Sequence, residues 1–165
     1  MPSVPLVSED HWERVARDFD DIGPEACVGQ IVAELRTDNP HYLAIARRCA
    51  RDAVDEAGTF AGFAKFYRIL ALCARDRGEP VPRIAPQTLD VVDTLVAEFG
   101  EDRFVALAAE TLCEENACLA AMAHGFASRS SDYLMVMQGF AVLYNCISVQ
   151  ATISGLSPRS GAERR

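Results

Sequence analysis

Gly62-Phe63-Ala64-Lys65-Phe66-Tyr67 and Gly139-Phe140-Ala141-Val142-Leu143-Tyr144 are two versions of one hexamer, at an offset of 77 in the numbering. An Asp stands seven residues before each glycine, at Asp55 and Asp132. Working outward without gaps, 15 of the 64 positions from 15 to 78 carry the same residue 77 places on. Five of the fifteen are alanine pairs, which an alanine-rich chain supplies cheaply. Val15/Val92, Gly23/Gly100, Val28/Val105, Leu35/Leu112 and Asn39/Asn116 are not cheap. Self-similarity at a fixed long offset is the mark of a duplicated structural unit.

Each unit reads as four helices. Ser8 is placed to cap the first helix, which Gly23 stops, and its counterpart runs from Pro86 to Gly100. Pro24 opens a second helix over 24–37, matched over 101–114. Asn39-Pro40 opens the third, matched at Asn116, and Asp55 and Asp132 are placed to cap a fourth of some twenty residues. Phe63, Phe66, Tyr67 and Leu70 fall three and four apart, as do Phe140, Leu143, Tyr144 and Ile147, so each set forms a core face. Gly62 and Gly139 sit inside this helix, where close helix crossing is the expected reason for a missing side chain. No segment sustains the alternation of a strand. The expected fold is all-α, two tandem four-helix repeats packed into one compact helical domain. The units are 8–78 and 87–155, joined by a Pro-rich linker over 79–86, with a disordered tail over 156–165.

A chain of 165 residues suits one such domain, which buries enough surface to fold without disulfides or metal. The net charge of −8 argues against nucleic acid as a partner. The N-terminus lacks the basic and apolar regions of a signal peptide, so the six cysteines are expected as free thiols of a cytoplasmic protein. Fifteen arginines against a single lysine, Lys65, point to a GC-rich bacterial genome. Residues 133–153 carry no charge and are long enough to span a bilayer, but Gln138, Asn145, Ser148, Gln150 and Thr152 interrupt them. A buried helix is expected there, and no membrane partner.

Motifs that carry chemistry are missing from the sequence. There is no phosphate-cradling glycine loop, no nucleophile elbow, no paired Glu-x-x-His and no Cys-x-x-Cys. This points away from an enzyme and from a metal or cofactor. The expected function is a non-catalytic interaction or regulatory module that self-associates or binds a protein partner. The alternative is a helical protein that binds a small molecule or cofactor in a pocket between the repeats, with Tyr67, Tyr144 and His124 supplying polar groups.

The two units differ most in charge. The first gathers Arg47, Arg48, Arg51 and Arg68 into a candidate basic patch. In the last helix, Lys65, Arg68 and Arg75 give way to Val142, Asn145 and Thr152. Met135, Gln138, Val142, Asn145 and Val149 therefore form an uncharged stripe, expected as the interface of a homodimer.

Overall fold

The computed structural model describes residues 4–156, with eight helices and no strand among them. They are α1 (Glu9–Ile22), α2 (Pro24–Asp38), α3 (Pro40–Arg51), α4 (Glu56–Asp76), α5 (Pro86–Phe99), α6 (Glu101–Glu115), α7 (Ala117–Arg129) and α8 (Tyr133–Leu156). The tail expected over 156–165 lies outside the described residues beyond Leu156.

The helix starts follow from local chemistry. Pro24, Pro40 and Pro86 each occupy the first turn, where the missing N–H costs nothing. Gly23 and Gly100 stop α1 and α5 at φ of +100° and +86°, a backbone that side chains with a Cβ rarely adopt. Their N–H groups close onto the carbonyls of Phe19 and Val96. The starts of α5, α6, α7 and α8 repeat those of α1, α2, α3 and α4 at the same offset that the sequence shows.

The two long helices α4 and α8 form the centre. α4 is flanked by α1, α2 and α3, while α8 is flanked by α5, α6 and α7. The two groups meet where α4 and α8 cross, with α3 against α8 and α7 against α4. Phe63 and Phe66 both pack on Phe140, at ring separations of 5.0 and 5.1 Å. All eight residues of the two expected core faces are buried. Full burial of an aromatic or leucine side chain is worth about 1.5–3 kcal/mol, so this seam contributes substantially to the stability. α8 is long and apolar enough to cross a membrane by length and composition, and here it packs against α3, α4, α5, α6 and α7.

At the crossing, the glycines make room for rings rather than for backbone. A Cβ on Gly62 would meet the Phe126 ring at 2.5 Å, and one on Gly139 would strike the Phe63 ring. The expected close backbone approach is thus replaced by aromatic rings seated in two notches.

Asn39 and Asn116 also differ from the expectation. Both occupy N-cap positions, but neither side chain makes a capping hydrogen bond. Each is buried and grips an extended segment. Asn39 Nδ2 donates to the Pro82 carbonyl at 2.8 Å and its Oδ1 accepts the Ile84 N–H at 3.0 Å. Asn116 Nδ2 donates to the Pro5 carbonyl at 2.8 Å and its Oδ1 accepts the Val7 N–H at 3.0 Å. Pro5 and Val7 stand to Pro82 and Ile84 at the offset of the hexamers. A primary amide offers a donor and an acceptor side by side, which matches the C=O and N–H of an extended strand two residues apart.

Candidate functional site

An open cleft of about 610 Å³ lies where the α1–α2 corner, the first turns of α4 and the α7–α8 turn converge. That size falls in the range of small-molecule sites. Its apolar wall includes Phe19, Pro24, Ala61 and Phe126. Its polar groups are Asp55, Thr59, Lys65, Arg129, Ser130, Ser131 and Asp132.

Local hydrogen bonds build the floor. Asp55 caps α4 as expected, accepting the Gly58 N–H at 3.0 Å. A Cβ on Gly58 would collide with that carboxylate, so this glycine permits the cap and keeps the cleft open. Asp132 accepts the Val54 N–H at 3.2 Å, tying the start of α8 to the α3–α4 turn. Ser130 Oγ donates to the Ala127 carbonyl at 2.8 Å and accepts the Asp132 N–H at 3.2 Å. Each carboxylate of the lining therefore accepts one backbone N–H on one of its oxygens.

The two cations are not matched in this way. Lys65 is half-buried, with its ammonium 5.2 Å from the centre of the Phe19 ring. Burial pushes its pKa below the ordinary lysine value, the positive charge of Arg129 pushes further in the same direction, and Asp20 opposes both. Among the described residues, neither Lys65 nor Arg129 joins an ion pair.

A second, smaller cleft of about 390 Å³ lies between the N-terminal segment and α8, lined by Val4, Leu6, Glu115, Tyr144, Ser148, Ala151 and Thr152. Tyr144 donates to Glu115 Oε1 at 2.9 Å. Burial and that carboxylate both hold the phenol well above its ordinary pKa. Tyr67 is also buried, and burial above all pushes its pKa up to about 12. Both tyrosines thus stay protonated and serve as packing and latch elements.

The residues singled out from sequence are scattered. His124 is exposed, its Nδ1 2.6 Å from the Tyr133 hydroxyl, and neither it nor Tyr67 nor Tyr144 lines the large cleft. Arg47, Arg48 and Arg51 are exposed on α3, whereas Arg68 is half-buried on α4 and faces Glu34 of α2 at 3.5 Å. Arg75 reaches the other oxygen of Glu34 at 2.5 Å. The charges at 68 and 75 are therefore packed against a carboxylate, with Lys65 against a ring. On α8, Gln138 is exposed while Met135, Val142, Asn145 and Val149 are half-buried, the two valines packing on the core. Asn145 Oδ1 is buried with no hydrogen-bond partner among the described residues.

A pocket between the repeats is the alternative expectation from sequence, but the lining of this cleft is not foreseen there, although a signal for it exists. Gly58, Ala61 and Lys65 correspond to Met135, Gln138 and Val142 in the second unit, and Arg129 corresponds to Asp52 in the first. Small residues and cations face bulky, neutral or acidic ones. Among the described residues, no group of three or more His, Cys, Asp or Glu side chains is placed to hold a metal ion. The six cysteines are free, and Cys146 is pushed up to about 12 by burial, which keeps it an unreactive thiol. Comparison with known family models, with characterised proteins and with solved structures gives no match to this chain.

Proposed function

We propose that this chain is a non-catalytic binding module of two tandem four-helix repeats, 8–78 and 87–155, with its ligand site in the cleft between them. The observation that carries this reading is the cleft. It is open, of ligand size, and lined from both halves: Phe19, Asp55 and Lys65 from the first, Phe126, Arg129 and Asp132 from the second. The recurrence of helix starts, glycine stops and asparagine latches at one offset supports a duplication. Divergence after duplication then accounts for a cleft on one side, since Gly58 and Ala61 leave space that Met135 and Gln138 would occupy.

Ala61→Trp tests this reading by filling the cleft from an open wall position. A small-molecule library is screened by thermal shift against both proteins. The expected result is a ligand class that raises the Tm of the wild type and leaves the variant unmoved, because stabilisation follows occupancy of the native state. Absence of any such class, or equal shifts in both proteins, overturns it.

Self-association through the last helix is a second reading. Exposed Leu134, at 71%, and Gln138 share one side of the first turns of α8, and Val54 nearby is 75% exposed. Sedimentation velocity decides it: Leu134→Glu converts a dimer to a monomer if this end of α8 is the interface, and a monomeric wild type rules the dimer out.

A further inference from the structure

We propose that the cleft selects a ligand bearing an anionic group, carboxylate or phosphate, on a flat apolar body, with the anion at Lys65 and Arg129 and the body against Phe19 and Phe126. This deepens the binding reading above and rests on it.

Three observations converge. First, Lys65 and Arg129 line one cavity, repel one another, and lack an acidic partner within ion-pair distance among the described residues. Asp55 and Asp132 of the same lining each accept one backbone N–H, from Gly58 and Val54, and neither forms an ion pair with Lys65 or Arg129. Asp20 acts on Lys65 from outside the lining. An anion bridging the two cations relieves their repulsion and supplies the missing partner.

Second, these cations are exceptional in the sequence. Lys65 is the sole lysine of a chain with fifteen arginines, and Arg129 is one of only two basic residues between 85 and 155. The positions paired with them across the duplication are Val142 and Asp52, so the charge belongs to this side of the molecule alone. A compact ammonium half-buried on an aromatic ring costs solvation, and a recognition role accounts for keeping it.

Third, the remaining wall fits an amphipathic ligand. Phe19 and Phe126 offer apolar surface, and Ser131 and Thr59 add hydroxyls to the same lining. A free inorganic anion would leave that apolar surface wet.

Isothermal titration with 2-naphthoate, 1-naphthyl phosphate, 2-naphthylmethanol and inorganic phosphate tests the proposal on wild type, Lys65→Met, Arg129→Gln and Ala61→Trp. At low salt, at least one naphthyl anion is expected to bind tenfold or more tighter than the neutral alcohol, and naphthoate against naphthyl phosphate tells which anion is preferred. Lys65→Met is expected to shrink that preference to within twofold without weakening the alcohol, and Arg129→Gln to reduce it severalfold. As a second readout, acetylation of Lys65 by an N-hydroxysuccinimide ester, followed by peptide mass spectrometry, is expected to slow when the anion is bound. An alcohol that binds as tightly as both anions overturns the anion site while the cleft reading stands. So does a preference that survives Lys65→Met. Inorganic phosphate binding as tightly as the naphthyl anions overturns the apolar body. Failure of every naphthyl probe overturns this ligand class and leaves the cleft to the library screen. Probe binding unchanged in Ala61→Trp overturns the cleft reading itself.

Discussion

The first four helices and the last four hold their backbones by the same devices and use their side chains differently. Gly23 and Gly100 stop α1 and α5, and Asn39 and Asn116 grip extended segments 77 places apart in the numbering. Tyr67 and Tyr144 are buried in both halves. The chemistry around these parts differs. The first half links α2 to α4 through Glu34, Arg68 and Arg75, where the second has Thr111, Asn145 and Thr152. It joins His11 and Arg14 to Asp76, where the second has Thr88, Val91 and Ile153. Positions that set a φ angle or satisfy a buried backbone group admit few residues, whereas a packed or paired side-chain position can be refilled by many. The cleft lies mainly at positions of this second kind, where residues 77 apart differ.

The crossing of the two halves offers the harshest test. Gly139→Leu drives a side chain into the Phe63 ring, and overpacking at a close-packed seam is expected to cost about 3 kcal/mol. Urea denaturation measures it; a change below about 1 kcal/mol would show that the notch is loose.

The latches sharpen the comparison directly. Asn39→Ala and Asn116→Ala each remove two hydrogen bonds to buried backbone, at an expected cost of about 2–3 kcal/mol. If the halves are equivalent, the two losses agree within about 0.5 kcal/mol and add in the double variant. A loss confined to Asn39 would mean that the N-terminal segment contributes little and that the resemblance of the latches is geometric only.

On α8 the expected effects are smaller and of opposite sign. Asn145→Leu removes a buried oxygen without a partner and is expected to stabilise the protein by about 1 kcal/mol. Val142→Lys restores the residue found at 65, but without an aromatic ring beneath it, since Phe19 corresponds to Val96. It is expected to destabilise by about 1 kcal/mol with the fold retained, the lysine stem lying along the surface. In sedimentation velocity, a dimer that dissociates in either variant would place the uncharged stripe at an interface; an unfolded Val142→Lys protein would place it wholly in the core.

The least effect is expected from acid. Arg14 above all, with His11, holds the Asp76 carboxyl below its ordinary value of 3.8. A depressed carboxylate favours the native state above its unfolded pKa and stops doing so as pH falls through its folded value. Asp76→Asn is therefore expected to lower the Tm slightly at neutral pH and to leave it unchanged well below pH 3.8. A difference that persists at the lowest pH would assign Asp76 a role other than its charge.

Much of the architecture was legible because it depends on local rules. Proline in a first turn, glycine at a stop and apolar residues three and four apart each act within one or two turns of helix, so the sequence alone determines eight helices and their buried faces. The internal offset was legible from Val15 onward. It in fact runs back through Val4/Val81 and Pro5/Pro82, a stretch whose role depends on asparagines distant in the chain. Only the tertiary structure decided what Asn39 and Asn116 hold, which rings enter the notches at Gly62 and Gly139, and that Arg68 and Arg75 share one carboxylate. It alone decided that Lys65 and Arg129, from opposite halves of the sequence, line one cleft. A cavity is bounded by residues from separate elements, and its volume is set by the small differences between side chains that face each other across it. Periodicity and capping fix where each helix begins and which side it buries, but they carry no term for what stands opposite.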